Sequence, residues 1–206
     1  MLPGQRLPRD ARCLAAIDLL LARSADKTAH AHERSLLTHL TGTARLLLLW
    51  NAPIDTVRAG LCHSIYGTNA FRTSSLKRHE RRLLQKTIGR RAEALVWSFA
   101  TLRRPATLLR ALRRDATLVR ERAGRTRHIA PSALQQLFML ECANLLDQGL
   151  ALPRARRLLH HAVRWPEAPP AMRDSLRAQQ RQTRLARCSE TRPHYRWSSP
   201  DMQLLA

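Results

Sequence analysis

The sequence has few glycines, few aromatic residues and few acidic residues. Glycine occurs 7 times in 206 residues, and aromatic residues make up 4% of the chain. β-branched residues are sparse and no stretch alternates between polar and apolar residues, whereas leucine, alanine and arginine, which favour helices, dominate. Apolar residues still account for 44% of the chain, enough for a full hydrophobic core. The composition therefore excludes a disordered chain and predicts an all-α fold.

Cysteines are also few, and the four that occur lie far apart. The absence of a CxxC pair argues against a zinc site made of cysteine ligands. The first residues, MLPGQRLPRDAR, lack the apolar core of a signal peptide, and the longest apolar run, Leu46 to Trp50, is too short to span a membrane. We therefore expect a soluble cytoplasmic protein without a membrane partner and with reduced thiols.

Acidic residues are outnumbered by basic ones. Aspartate and glutamate total 15 against 36 lysines and arginines, which gives a formal net charge of +21, and only Lys27, Lys77 and Lys86 are lysine. A lineage preference for arginine explains the choice of cation but not the shortage of acids. Because arginine binds phosphate and carboxylate in a bidentate way, an anionic small molecule is an expected partner. A non-catalytic module that binds nucleic acid or an acidic protein is the alternative, although no known nucleic-acid motif is present.

The spacing of apolar residues and of helix-breaking residues divides the chain into helices and connections. We expect a flexible arm over residues 1–10, a helical domain over residues 11–165, and a basic C-terminal helix and tail over residues 166–206. Within the domain, the patterns predict helices over about 11–23, 32–50, 54–66, 74–88, 90–102, 131–148 and from 153 onward. An arginine-rich segment, 106–123, and a loop, 124–130, connect the fifth and sixth of these helices.

Two histidines mark the most informative stretch, which runs from Leu36 to Phe71. His39 lies inside a strongly apolar helix, and His63 begins a polar HSIYGT turn near the end of the next. His32 precedes His39 by about two helical turns and shares its face. Three imidazoles suit zinc, iron, copper or nickel better than magnesium. The simpler alternative is two core histidines, each hydrogen-bonded to a neighbour.

Four segments resemble the HD-domain superfamily of metal-dependent phosphohydrolases, most closely its (p)ppGpp-hydrolase branch. The segments are Leu37-Thr38-His39-Leu40, Ala59-Gly60-Leu61-Cys62-His63-Ser64-Ile65, the IGRRAEALV helix at 88–96, and LECANLLD at 140–147. They follow one another in the family's order, from about residue 30 to residue 150. The resemblance implies a single HD-domain-like helical bundle with a central pocket lined by His39, His63, Ser64 and Asn144.

The chain departs from the family at both metal-binding carboxylates. Ser64 stands where the HD pair has aspartate, and Asn144 stands where the last element has aspartate. A neutral hydroxyl or amide supplies less negative charge to a hard cation than a carboxylate does. The HSIYGT turn is similar to a small bacterial family that has HSxYGT where HD proteins have HDxxED.

The resemblance implies a small-molecule enzyme or ligand-binding protein that acts on an anionic or phosphorylated metabolite. As an enzyme it would be a metal-dependent hydrolase or, with iron, an oxygenase. We expect the following assignments: His63, His39 and Ser64 as catalytic groups; Tyr66, Thr68, Asn144, Glu141 and Arg81 as substrate-binding groups; and His39, His63 and His32 as ligands of one divalent transition metal (Fe, Mn or Zn). The oligomeric state and the substrate do not follow from the residues.

Overall fold

Nine α-helices, one 3₁₀ helix over Arg78–Glu80 and one short hairpin are the regular elements of the described part of the chain. The computed structural model describes residues 10–28, 34–67, 74–114, 117–149 and 153–190. The helices are α1 (Ala11–Ala22), α2 (Leu36–Leu49), α3 (Ile54–Cys62), α4 (Arg81–Ile88), α5 (Arg90–Thr101), α6 (Ala106–Arg114), α7 (Pro131–Asp147), α8 (Pro153–Val163) and α9 (Pro170–Glu190), and the strands are β1 (Leu118–Arg120) and β2 (Thr126–His128). The all-α fold class is confirmed. The expected arm, 1–10, falls almost entirely outside these ranges.

The central helix pair, α2 and α3, is defined by its caps and by one close approach. The Ser35 side chain accepts a hydrogen bond from the Thr38 backbone N–H and so begins α2 at Leu36, later than the residue 32 that periodicity predicted. Asn51 adopts a positive φ of 53° before Pro53 begins α3. Gly60 lets the two helices approach closely, because a Cβ there would lie 2.7 Å from Leu47 Cδ1.

A two-stranded hairpin lies where the sequence predicted only an arginine-rich segment and a loop. Strands β1 and β2 pair antiparallel, with Leu118 opposite His128, and Gly124 turns between them at a φ of 86°. Each strand is three residues long, so the alternation that identifies a strand in a sequence cannot develop. Val119 is the strand residue that is buried in the core.

The core is one continuous cluster that includes the C-terminal helix. Apolar side chains of the central helices meet side chains of α8 and α9, among them Leu40, Leu61, Phe99, Phe138, Leu158, Met172 and Leu176. The Trp50 indole N–H donates to Ser175 Oγ at 3.0 Å and so joins the end of α2 to α9. The first part of the segment 166–206 therefore packs against the helices that precede it.

The chain contains no helix, within the described ranges, that is both long enough and apolar enough to cross a lipid bilayer.

Candidate functional site

Helices α2, α3 and α7 bring the two histidines together at the centre of the bundle. His39 and His63 are 0% and 1% exposed, and their Nε2 atoms lie 3.2 Å apart. Asn144 of α7 joins them, with its Oδ1 at 3.1 Å from His39 Nε2. His39, His63, Asn144 and Asp147 are called the histidine cluster below.

Both imidazoles of the histidine cluster are oriented by acceptors at their other nitrogen. His63 Nδ1 donates to the Gly60 carbonyl at 2.8 Å, and His39 Nδ1 lies 2.7 Å from Asp147 Oδ2. With both Nδ1 atoms committed as donors, a neutral ring carries its lone pair on Nε2. In this tautomer two lone pairs would face each other, an arrangement that favours a proton or a metal ion between the two Nε2 atoms.

Asp147 occupies a space that Gly42 leaves open on α2. A Cβ at Gly42 would lie 2.9 Å from Asp147 Cγ and still closer to Oδ1. Arg34 also holds this residue, because its Nη2 donates to the Asp147 carbonyl at 2.6 Å and to Oδ2 at 3.0 Å. Side-chain exposure rises outward, from 0% at His39 to 11% at Asp147 and 34% at Arg34. The Arg34 guanidinium is therefore the most exposed of these groups and lies at the outer edge of the histidine cluster.

A buried ion pair between Arg104 and Glu141 lies next to the histidine cluster and contacts it through the Phe99 ring. Arg104 donates through Nη1 to Glu141 Oε2 and through Nε to the Phe99 carbonyl at 2.6 Å. Its guanidinium lies 3.3 Å from the centre of the Phe99 ring, and that ring meets the His63 imidazole edge to face at 5.2 Å. Glu141, expected to bind substrate, is instead engaged with Arg104.

Burial lowers the pKa of His63 well below its usual range, and the charges of His39 and Arg104 lower it further. The folded protein therefore holds His63 neutral under mildly acidic conditions that protonate a histidine in the unfolded chain. Between the lowered pKa and the ordinary value of about 6.5, the unfolded state binds more protons, so stability rises with pH there.

We expect the free energy of unfolding to fall as the pH is lowered from 7 to 5, by up to about 1.4 kcal/mol per pH unit from His63 alone. The measurement is urea denaturation of chelator-treated wild type and His63→Asn across this range, because asparagine keeps a donor for the Gly60 carbonyl. The wild-type curve should fall more steeply than that of the variant. His79→Asn, at an exposed position, is the control. Parallel curves for wild type and His63→Asn would contradict the expectation.

Tyr66 and Arg81 meet at a second buried acid, Glu93 of α5. Glu93 is 1% exposed and accepts from Tyr66 Oη at 3.1 Å, from Arg81 Nε and Nη2 at 2.7 and 2.8 Å, and from Gln85 Nε2 at 3.1 Å. Burial and the Glu93 charge raise the pKa of Tyr66. Arg81 also lies 4.1 Å above the Trp97 ring. This arrangement fastens the HSIYGT turn to α4 and α5.

The remaining predicted site residues are Ser64, His32 and Thr68. Ser64 is buried at 3% exposure directly after His63, and the Gly67 N–H donates to its carbonyl at 2.8 Å. His32 and Thr68 lie outside the described residues, so their assignments stay predictions.

Cys13, Cys62 and Cys142 are buried, and burial raises the pKa of each thiol, which keeps it protonated.

Several residues around these clusters were not predicted from the sequence. Arg34, Glu93 and Arg104 were not singled out, and Asp147 was not assigned a role. A signal exists for Asp147, which lies three residues after Asn144 and so shares its helix face. Glu93 likewise lies three residues before the core residue Val96. Within the described ranges, no group of three or more His, Cys, Asp or Glu side chains could hold a metal ion.

The comparisons with known proteins agree with this architecture. A family model described as a domain of unknown function, DUF6817, matches residues 19–104, which include both histidines of the pair and Glu93. The search of curated proteins finds no match. A solved structure of a metazoan SpoT ortholog, described as hydrolysing ppGpp and playing a role in starvation responses, aligns with a TM-score of 0.52 at 11% identity, over 87% of this chain and 98% of that one. The chain therefore has an HD-domain-like helical fold.

Proposed function

We propose that this protein is a divergent HD-type protein that binds one divalent transition metal at His39 and His63 and acts on a phosphorylated or otherwise anionic small molecule. The observation that carries the proposal is the pair of Nε2 atoms that face each other at 3.2 Å while both Nδ1 atoms serve as donors. A proton between the two Nε2 atoms would make them donor and acceptor, whereas a metal ion would use both lone pairs, so metal analysis distinguishes the two arrangements.

The donor set fits a transition metal. Two nitrogen ligands of one tetrahedral ion, with bonds of about 2.0–2.1 Å, lie about 3.3 Å apart, close to the observed 3.2 Å. Asn144 Oδ1, at 3.1 Å from His39 Nε2, is placed as a third donor. Two imidazoles favour iron or zinc over magnesium, and the amide oxygen is a ligand that manganese also accepts. When bound, such an ion supplies a Lewis acid and lowers the pKa of a bound water.

The residues around this donor set have separate roles in the proposal. Asp147 orients His39 through Nδ1, as carboxylates commonly do behind metal-binding histidines. The Gly60 carbonyl fixes the His63 ring in the same way. In the proposal, Ser64 and Asn144 orient a polar substrate, and Tyr66, Arg81 and Glu93 hold the turn that carries Ser64. Arg34, which already pairs with Asp147, would offer its remaining N–H groups to an anion at the outer edge.

Two observations support a phosphorylated substrate. The net charge of +21 and the position of Arg34 favour an anionic ligand. The solved structure that shares the fold is described as hydrolysing ppGpp, a phosphorylated nucleotide. Hydrolysis is therefore the leading reaction, and an oxidative reaction is the enzymatic alternative if the bound metal is iron.

The first test is metal analysis of untagged protein purified without a chelator. We expect about one equivalent of iron, manganese or zinc in wild type and less than about a tenth of that in His63→Asn, which loses Nε2 but keeps the Nδ1-side donor. The control, His79→Asn, removes an exposed histidine and should keep the full equivalent. Folded wild type that binds no metal, even after incubation with each ion, would refute the metal proposal.

A metal-loaded sample then allows a test of the substrate class. Release of inorganic phosphate or pyrophosphate from a panel of phosphorylated nucleotides and sugars should occur with wild type and His79→Asn but not with His63→Asn. Metal binding without turnover of any phosphorylated compound would favour the oxygenase alternative, which consumption of dissolved oxygen measures directly.

The basic surface supports the second candidate function, a nucleic-acid-binding or acidic-protein-binding module. With 15 acids for 36 lysines and arginines, at least 21 cations would have no carboxylate even if every acid paired with one. RNA binding that weakens steeply with salt and is unchanged in His63→Asn would favour this candidate. RNA binding that is absent at physiological salt would exclude the nucleic-acid form of this candidate.

A further inference from the structure

A cavity lies beside α5, near the beginning of α7. It has a volume of about 600 Å³, within the usual range for small-molecule sites. Ser98 lines it, whereas the next residue, Phe99, contacts His63. Gln136 lines it too and precedes Asn144 by eight residues, about 12 Å along a helix. The cavity is therefore distinct from the histidine cluster.

The lining of the cavity combines basic and apolar side chains. Arg91, Arg127 and His128 line it together with a single acid, Asp55, whose carboxylate lies 3.0 Å from Arg58 Nη1. Arg58 also pairs with Asp10, and Arg127 pairs with Glu121, so Arg91 is the lining arginine that has no ion pair among the described residues. Leu95 and Ile129 contribute apolar surface. Two arginines on opposite elements, one on α5 and one on β2, give the bidentate donors that phosphate and carboxylate groups need.

Arg127 has hydrogen-bonding capacity that the protein itself does not use. Its Nε forms an ion pair with Glu121 Oε1 at 2.8 Å, but neither Nε nor Nη2, both enclosed, has a hydrogen-bond partner of suitable geometry among the described residues. A buried guanidinium N–H without a partner costs free energy, so such a group is commonly satisfied by a ligand or water. Because Arg127 lines the cavity, a bound anion would supply the missing acceptor.

Backbone N–H groups and the Gln136 amide supplement the two arginines as hydrogen-bond donors. Helices α3 and α7 begin beside the cavity after Pro53 and Ala130, whose side chains hold no acceptor, so neither helix has a side-chain cap. The exposed N–H groups of a first turn favour an anion. Gln136 accepts the Thr56 hydroxyl proton at its Oε1, 3.2 Å away, which leaves its amide nitrogen as a donor.

We propose that this cavity is a second binding site, which takes a small molecule bearing a phosphate or diphosphate group. Arg91 and Arg127 contact the phosphate oxygens, and Gln136 and the first turn of α7 complete the donors. The site is independent of metal binding at the histidine cluster, because the two share no lining residue.

The test is calorimetric titration of inorganic pyrophosphate, at physiological salt and with a chelator present, into wild type and single variants. We expect Arg127→Gln and Arg91→Gln each to weaken binding about tenfold, since each removes a charged hydrogen bond. Arg125→Gln removes an exposed charge from the same hairpin without touching the cavity and should leave the affinity within twofold. Circular dichroism checks that each variant is folded.

Three outcomes would overturn the proposal. The first is an absence of measurable pyrophosphate binding by wild type. The second is equal weakening in Arg125→Gln, which would indicate a response to net charge alone. The third is binding that is lost in His63→Asn but kept in Arg127→Gln, which would locate the anion at the histidine cluster. Binding that His63→Asn keeps and Arg127→Gln loses supports the second site, whatever the metal analysis shows.

Discussion

Glu141→Leu is expected to lower the free energy of unfolding by about 3–5 kcal/mol, because it leaves the Arg104 guanidinium buried without a counter-charge. Both side chains are enclosed, at 9% exposure for Arg104 and 3% for Glu141. Leucine fills a comparable volume, so the loss reflects the unpaired charge more than a cavity. Urea denaturation monitored by circular dichroism measures the effect.

The matched control for this variant is the double variant Arg104→Met with Glu141→Leu. Replacing both members of a buried ion pair by apolar side chains is often close to neutral, so the double variant should recover most of the stability lost in the single one. Arg104 also donates to the Phe99 carbonyl, and a residual loss of about 1 kcal/mol is expected from that bond. A double variant as unstable as Glu141→Leu would contradict the explanation.

Gly42→Ala is expected to weaken zinc binding by about 10- to 100-fold without unfolding the protein, because its methyl group takes the place of the Asp147 carboxylate. The Cβ would lie 2.9 Å from Asp147 Cγ, so that side chain must move away from His39 Nδ1. Alanine is the better helix former, which offsets part of the steric cost to stability. Competition with a chelating dye gives the zinc affinity.

A double-mutant cycle identifies the cause of this effect. Asp147→Ala alone should weaken zinc binding by a similar factor, and adding Gly42→Ala should then change little, because the group that the methyl displaces is gone. Arg45→Ala, on an exposed part of the same helix, should leave the zinc affinity unchanged. Unaltered zinc affinity in Gly42→Ala would contradict the orienting role of Asp147.

Local patterns predicted the parts of the fold that depend on neighbours in the sequence. The apolar spacing and the helix-breaking residues predicted helices over 32–50 and 54–66, and the structure has α2 over Leu36–Leu49 and α3 over Ile54–Cys62. Histidine placement and the family resemblance pointed to His39, His63 and Asn144 as neighbours. The structure places side-chain atoms of His63 and Asn144 within 3.2 Å of His39 Nε2.

Contacts between distant parts of the chain were beyond such patterns. Arg34 and Asp147 are 113 positions apart in the sequence, and Arg104 and Glu141 are 37 apart. The apolar periodicity of the sequence contains no information about either pair. A charged run such as residues 78–82 gave no indication that Arg81 would turn inward to Glu93. The hairpin escaped prediction because strands of three residues are shorter than the repeat needed to recognise them.

The carboxylates around the histidines are already matched by guanidinium groups, Asp147 by Arg34 and Glu141 by Arg104. With uncharged Ser64 and Asn144 beside the imidazoles, the surroundings are close to electrically neutral before any ion arrives. A divalent cation there would bring two charges that the described side chains do not balance. A dianionic ligand would balance them, so cation and anion would each raise the other's affinity by the same factor. The proposed metal centre would thus bind its ion most tightly when an anionic ligand is present.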